Sequence, residues 1–115
     1  MIISWGFTEL YQCVERLSWS SEKQVEYLRN LGLLPLVDEL ALEFDDVVGL
    51  VPQYVNEGRL SNVQADSIYR LDDLLNTMSG KDNAHLWTEE ALVNNELWNT
   101  VREHAKHALK LLDSE

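Results

Sequence analysis

The fold predicted for this chain follows first from residues 37–48, which read VDELALEFDDVV. As a helix with about 100° between successive residues, this stretch separates into an apolar side and an acidic side. The apolar side consists of Val37, Leu40, Ala41, Phe44, Val47, Val48 and, just beyond the stretch, Val51. The acidic side carries the five carboxylates of Asp38, Glu39, Glu43, Asp45 and Asp46. No lysine or arginine lies among these carboxylates, so they repel one another, and such a face is either solvated or binds a basic partner.

The rest of the chain also indicates helices. Only two prolines and five glycines interrupt the 115 residues, strong helix formers are frequent, and alternating strand patterns are short. The predicted fold class is therefore all-α, with a single domain over residues 1–115 that forms a bundle of five or six helices.

Capping residues predict where several helices begin. Ser21 with Gln24, and Ser61 with Gln64, match the capping-box pattern, in which each side chain satisfies a free backbone N–H of the other residue. Thr88 is a further N-cap, followed by two glutamates in the first turn. These residues predict starts for the second helix, for a long central helix and for a short later one.

Glycines and prolines predict the helix ends. Gly32 ends the second helix, Pro35 suits the first turn of the third, and a break is expected between Gly49 and Pro52. Residues 80–86 are the most loop-like segment of the chain.

The first helix is predicted over residues 7–17 and the last over residues 96–112. Helical spacing also predicts which residues of the two longest later helices face the core. They are Val63, Ile68, Leu71, Leu75 and Met78 in the one, and Leu97, Trp98, Val101, Ala105, Ala108, Leu109 and Leu112 in the other.

The chain is strongly acidic, with 20 acidic and 9 basic residues and a formal net charge of −11. Nucleic-acid binding requires a basic patch, because its affinity comes from cations that replace condensed counterions. The densest basic group is Arg102, Lys106 and Lys110, near the end of the last helix, where the helix dipole favours cations. We therefore expect no direct binding to nucleic acid and none to an anionic membrane.

We expect no signal for export and no membrane-spanning segment. No apolar run reaches the length of a transmembrane helix, and the first residues lack the pattern of a secretory signal. The single cysteine, Cys13, cannot form an internal disulfide, and its helical spacing from Leu10, Val14 and Leu17 predicts a buried thiol. We expect a cytoplasmic protein.

Motifs for catalysis and for cofactor binding are missing from the sequence. There is no glycine-rich phosphate loop, no Gly-x-Ser-x-Gly elbow and no cysteine–histidine signature. We therefore expect neither an enzyme nor a bound cofactor.

Two groups of residues raise the question of a metal site. His104 and His107 have a suitable spacing, but no further ligand accompanies them. Glu39, Glu43 and Asp46 share one side of a helix, but they point away from the apolar stripe, unlike the inward carboxylates of di-iron bundles, and they lack the loop of an EF-hand. A solvated polar face explains both groups, and we expect no bound metal.

Leu42 falls on the acidic side of its helix. A lone exposed leucine is common in soluble proteins, but a leucine surrounded by carboxylates also resembles an interface anchor with a charged rim. Residues 35–60 contain six acids and one base, so this short segment carries −5 of the total net charge of −11. The predicted partner-binding residues are Asp38, Glu39, Leu42, Glu43, Asp45 and Asp46.

Two parts of the chain resemble a group of small acidic helical bacterial proteins. The first part is the segment from Val37 to Asp46. The second comprises Met78-Ser79-Gly80, Asn83-Ala84, Leu86-Trp87-Thr88-Glu89-Glu90-Ala91-Leu92, Trp98, Val101-Arg102, Ala105 and Ala108-Leu109. The group is similar to the immunity proteins of bacterial toxin–immunity systems, including contact-dependent growth inhibition, and the similarity spans roughly residues 21–112 without a catalytic motif.

The resemblance implies a protein that binds and neutralises a cognate toxin domain. Nuclease toxins are typically basic because their substrate is polyanionic, so an acidic helix face suits such a partner. The alternative hypothesis is an acidic regulatory adaptor or nucleic-acid mimic that binds a basic DNA-binding protein. A third interpretation, a solvated acidic surface on a protein of another purpose, also fits the sequence.

Overall fold

In the computed structural model, residues 5–31 and 37–113 are described, with side chains from Thr8 onward. Seven α-helices and one 3₁₀ helix form these two ranges, and no strand occurs in them. The α-helices are α1 (Trp5–Ser18), α2 (Ser21–Asn30), α3 (Asp38–Val48), α4 (Val51–Asn56), α5 (Asn62–Thr77), α6 (Glu89–Asn94) and α7 (Glu96–Asp113), and the 3₁₀ helix is Lys81–Leu86. The all-α class is confirmed, whereas the expected number of five or six helices is too low.

Four helices, α1, α3, α5 and α7, form a closed ring around the core. α1 packs extensively against α3 and α7, and α5 packs against the same two helices. Each contributes an apolar stripe, with Leu10, Phe44, Ile68 and Trp98 among the fully buried side chains. The shorter helices connect or cover these four, so α3 has an inner face in the ring and an outer face towards solvent.

The start of α2 is not the capping box that the sequence predicts. Ser20, not Ser21, is the N-cap residue, and its hydroxyl accepts a hydrogen bond from the backbone N–H of Lys23. Gln24 is completely buried, and its amide Nε2 donates to the backbone oxygens of Arg16 and Leu17 at 2.9 and 3.1 Å. The prediction of Ser21 with Gln24 as a capping box is wrong, because Gln24 instead satisfies carbonyls at the C-terminal end of α1.

The capping box at the start of α5 is confirmed. The Ser61 hydroxyl accepts from the Gln64 N–H, and the Gln64 side chain accepts from the Ser61 N–H. Thr88 also caps α6 as expected, by accepting from the N–H of Ala91.

The helix breaks after the acidic stretch are also confirmed. α3 ends at Val48, and α4 begins at Val51 with Pro52 in its first turn. The predicted end of the second helix at Gly32 and the predicted start of the third at Pro35 lie outside the described residues.

The segment predicted as a loop, residues 80–86, is instead mostly a 3₁₀ helix. Gly80 precedes it with φ of +104°, a backbone conformation that favours glycine and redirects the chain after α5. The Asn83 side chain donates to the backbone oxygens of Thr77 and Ser79 at 3.2 and 2.9 Å, so it satisfies carbonyls at the end of α5. Polar composition suggested a loop, but these local hydrogen bonds stabilise a turn of helix.

The predicted core of α5 and α7 is buried or partly buried, with two exceptions. Val63 is 62% exposed and Leu97 is 40% exposed. Both lie in the first turn of their helix and outside the central line of the buried stripe, so the prediction that they face the core is wrong. In contrast, Arg102, which forms a basic row with Lys106 and Lys110 in the sequence, is only 7% exposed.

Candidate functional site

The outer face of α3 is formed by four exposed residues: Asp38, Leu42, Asp45 and Asp46. Leu40, Phe44 and Val47 hold the opposite side of the helix in the core. Leu42 is 54% exposed, although its neighbours Ala41 and Phe44 are partly or fully buried. The helical register therefore places one apolar side chain between carboxylates on the outer face of α3, as the sequence predicts.

Glu43 is separate from the outer face of α3. Its Oε1 accepts a hydrogen bond from Arg16 Nη1 at 3.1 Å, and its Oε2 accepts from the Tyr27 hydroxyl at 2.6 Å. Only 22% of its side chain is exposed. Glu43 thus connects α3 to α1 and α2, and Glu39, on the same side of the helix, is half-buried.

Arg16 is the centre of this cluster between α1, α2 and α3. Its guanidinium lies 5.0 Å from the centre of the Tyr27 ring and 3.6 Å from the Cys13 sulfur. Burial and the hydrogen bond to Glu43 raise the pKa of Tyr27 to about 12, and burial raises the pKa of the Cys13 thiol to about 11. Both groups are therefore neutral and unreactive near neutral pH, and the cluster serves to join three helices.

The raised pKa of Tyr27 predicts a loss of stability in alkali. Between the ordinary tyrosine value of 10.0 and about 12, the unfolded chain releases the phenol proton while the folded chain retains it. Stability should therefore fall as the pH rises through this range. The Tyr27→Phe variant should lose less stability over the same range, measured by urea unfolding at fixed pH values. Equal slopes for the two proteins would show that Tyr27 is not the responsible group, since Cys13 is present in both.

A groove lies beside Leu42, between α3 and the turn that leads into the 3₁₀ helix. Its volume is about 430 Å³. The residues that line it are Asp38, Ala41, Leu42, Ser79, Gly80, Ala84 and Trp87. We call it the larger groove. Trp87 is fixed in its wall, because its indole Nε1 donates to the Met78 backbone oxygen at 2.7 Å and its ring packs edge-on against Trp98, with 5.2 Å between ring centres.

A second groove, which Leu42 also lines, lies between α3 and α5 and has a volume of about 190 Å³. It is lined by Ala41, Leu42, Phe44, Asp45, Asp72, Leu75, Asn76 and Ser79. We call it the acidic groove, because Asp45 of α3 and Asp72 of α5 both line it. Burial raises the pKa of Asp72, and the charges of Asp45 and Asp73 raise it further. The two helices therefore place carboxylates close enough to repel each other.

No protein-family model matches this chain, and no curated protein or solved structure shows significant similarity to it.

In residues 5–31 and 37–113, no three His, Cys, Asp or Glu side chains are grouped as metal ligands. No helix in the same ranges is both long and apolar enough to span a membrane.

Four of the six predicted partner-binding residues, Asp38, Leu42, Asp45 and Asp46, thus share the outer face of α3, while Glu43 bonds to α1 and α2 and Glu39 is half-buried. The sequence did not indicate Asp72 or Trp87, which approach Leu42 only through the packing of α5 and the 3₁₀ helix. A clue to Asp72 exists in the paired acids Asp72-Asp73, which follow the buried Leu71 in α5.

Proposed function

We propose that this protein is an immunity protein that binds and neutralises a cognate bacterial toxin domain with a basic surface, of the nuclease type. The observation that carries the proposal is Leu42, which is 54% exposed and surrounded by carboxylates on the outer face of α3. A central apolar anchor within a charged rim is the anatomy of many protein interfaces.

The electrostatics support a basic partner. The formal net charge of −11 attracts a cationic domain over a distance and accelerates its association. At short range, Asp45 and Asp72 repel each other across the acidic groove. A cation placed between them would relieve this repulsion, so a basic partner gains more there than a neutral one.

The two grooves beside Leu42 support a protein partner. They are adjoining depressions, both lined by Leu42, into which side chains of a partner can fit. Trp87 adds an aromatic wall to the larger groove, and aromatic residues are enriched at interfaces. Glu43 does not belong to this surface, but its hydrogen bonds from Arg16 and Tyr27 hold α3 against α1 and α2.

The test is co-expression with the C-terminal domain encoded by the adjacent gene. That domain alone should stop growth, and this protein should restore growth and form a complex with it. Calorimetry should show binding that weakens steeply between low and physiological salt, because much of the attraction is between charges. Matched cells that carry an unrelated acidic helical protein should not recover.

Two results would contradict the proposal. One is a lethal domain that binds this protein but remains lethal. The other is a non-lethal basic domain whose DNA binding this protein blocks, which would favour the regulatory adaptor or nucleic-acid mimic. An acidic surface suits both an immunity protein and a regulatory adaptor. The growth assay is therefore the measurement that separates the two functions.

A further inference from the structure

We propose that the acidic groove between α3 and α5 receives an arginine side chain of the partner. This inference rests on the proposed function for the identity of the partner, but the groove itself can be tested without that partner. An arginine in this groove would give the surface a specific contact, in addition to the long-range attraction between opposite charges.

The groove combines an apolar floor with two carboxylates. Ala41, Phe44 and Leu75 are buried or half-buried, and Leu42 forms an exposed wall. With a volume of about 190 Å³, the groove is smaller than pockets for small molecules, which begin at about 300 Å³, and it suits a single long side chain. A side chain with an aliphatic stem and a cationic end matches this arrangement.

The two carboxylates come from different helices and have no cation of their own in the part of the chain that the structure describes. Its ion pairs involve Glu9, Glu43, Glu89 and Glu103, but neither Asp45 nor Asp72. Asp72 accepts a long hydrogen bond of 3.4 Å from Asn76 Nδ2, one helical turn later. The folded protein therefore leaves both charges available to an external donor.

Arginine fits this pair of acceptors better than lysine. Its planar guanidinium presents five N–H donors and can bond two carboxylates at once, whereas an ammonium is a compact and strongly hydrated charge. Leu42, Ala41 and Ser79 line both grooves, so the larger groove leaves room for the partner residues that flank the arginine.

The experiment uses the full chain and three probes of similar shape: the N-acetyl methylamides of arginine, lysine and citrulline. Citrulline has the shape of arginine without its charge. We expect the arginine probe to bind in the millimolar range and to shift the NMR signals of Leu42, Asp45, Asp72 and Asn76. The lysine probe should bind several times more weakly than the arginine probe, since it cannot bridge two carboxylates. The citrulline probe should produce no saturable shift.

Asp72→Asn and Asp73→Asn form a matched pair of variants. Both remove one negative charge at neighbouring positions of α5, but only Asp72 lines the groove. Asp72→Asn should weaken arginine binding about fivefold, whereas Asp73→Asn should change it less than about twofold. Both variants should fold, because removal of either charge lessens the repulsion around Asp72.

Three results would overturn the inference: equal binding of the lysine probe, equal effects of the two variants, or shifts spread over acids outside the groove. A protein that rescues growth but does not bind the arginine probe would retain the proposed function and lose this subsite. A protein that binds the probe but rescues no growth would retain the subsite and lose the proposed function.

Discussion

Replacement of Asp38, Asp45 and Asp46 together with lysine should weaken binding of the proposed basic toxin domain by about a thousandfold or more and abolish protection. Each substitution converts an attraction into a repulsion, and close charge pairs in interfaces couple by about 1.5–7 kcal/mol. All three side chains are exposed, so the core of α3 is unchanged and the variant should fold. Calorimetry at physiological salt measures the affinity, and circular dichroism with thermal unfolding checks the fold.

A matched variant separates the position of the charges from their number. Glu26, Asp66 and Glu103 are exposed acids on α2, α5 and α7, and their replacement with lysine changes the net charge by the same amount. This control should lose only long-range attraction, about tenfold or less at physiological salt. Equal losses in the two triple variants would mean that net charge, and not the outer face of α3, determines binding.

Glu43 is left out of the first triple variant for a structural reason. Its replacement with lysine would place a second cation beside the Arg16 guanidinium and remove the acceptor of the Tyr27 hydroxyl. Loss of binding in such a variant would report a displaced helix as readily as a lost contact. The four residues of the outer face of α3 do not carry this ambiguity.

Gln24→Leu should destabilise the fold by about 3 kcal/mol, because it removes the three hydrogen bonds that the buried Gln24 side chain makes to polar groups of α1 and α7. In the native protein, Gln24 Nε2 donates to the backbone oxygens of Arg16 and Leu17, and Gln24 Oε1 accepts from Arg102 Nη1 at 2.9 Å. The guanidinium also donates from Nη2 to Asn99 Oδ1 at 2.8 Å. Urea unfolding should show a lower midpoint with an unchanged slope.

Arg102→Met is the matched control, because it removes the buried charge together with its donors. Burial already lowers the pKa of Arg102, a sign that the folded state disfavours its charge. The methionine variant should therefore lose only about 1 kcal/mol, and the double variant should be more stable than the sum of the two single losses implies. Strict additivity would contradict a coupled contact between Gln24 and Arg102.

Local signals in the sequence predicted much of the fold. Ser61 with Gln64 and Thr88 cap their helices as expected, because capping depends on side chains within one turn of backbone. Gln24 shows the limit of such reasoning. Its spacing from Ser21 is correct for a capping box, but two carbonyls of α1 and a guanidinium 78 residues later compete for the same amide.

Arg102 and Val63 show a second limit. Helical periodicity predicts a stripe, but which residues at the edge of that stripe are buried depends on the neighbouring helices. Arg102 is buried because α2 supplies an acceptor, whereas Val63 has no helix over it and stays exposed. Neither neighbour can be read from the periodicity of α5 or α7 alone.

The sequence predicted the part of the candidate site that lies on α3, but not the part that depends on contacts between α3 and other helices. The register of α3 was sufficient to predict that Leu42 and Asp45 are exposed. It could not predict that Arg16 and Tyr27 bind Glu43, or that Asp72 lies across a groove from Asp45, since these contacts join residues that are distant in sequence. The partner-binding role of the residues stays a prediction that the charge-reversal variants test.

The structure of α3 has a consequence for how such a protein can change over generations. Leu40, Phe44, Val47 and Glu43 attach the helix to its neighbours, and none of them belongs to the outer face of α3. Asp38, Leu42, Asp45 and Asp46 can therefore mutate without disturbing the bundle. A lineage that must follow a rapidly diverging partner can alter these four positions one at a time and retain a folded intermediate at every step.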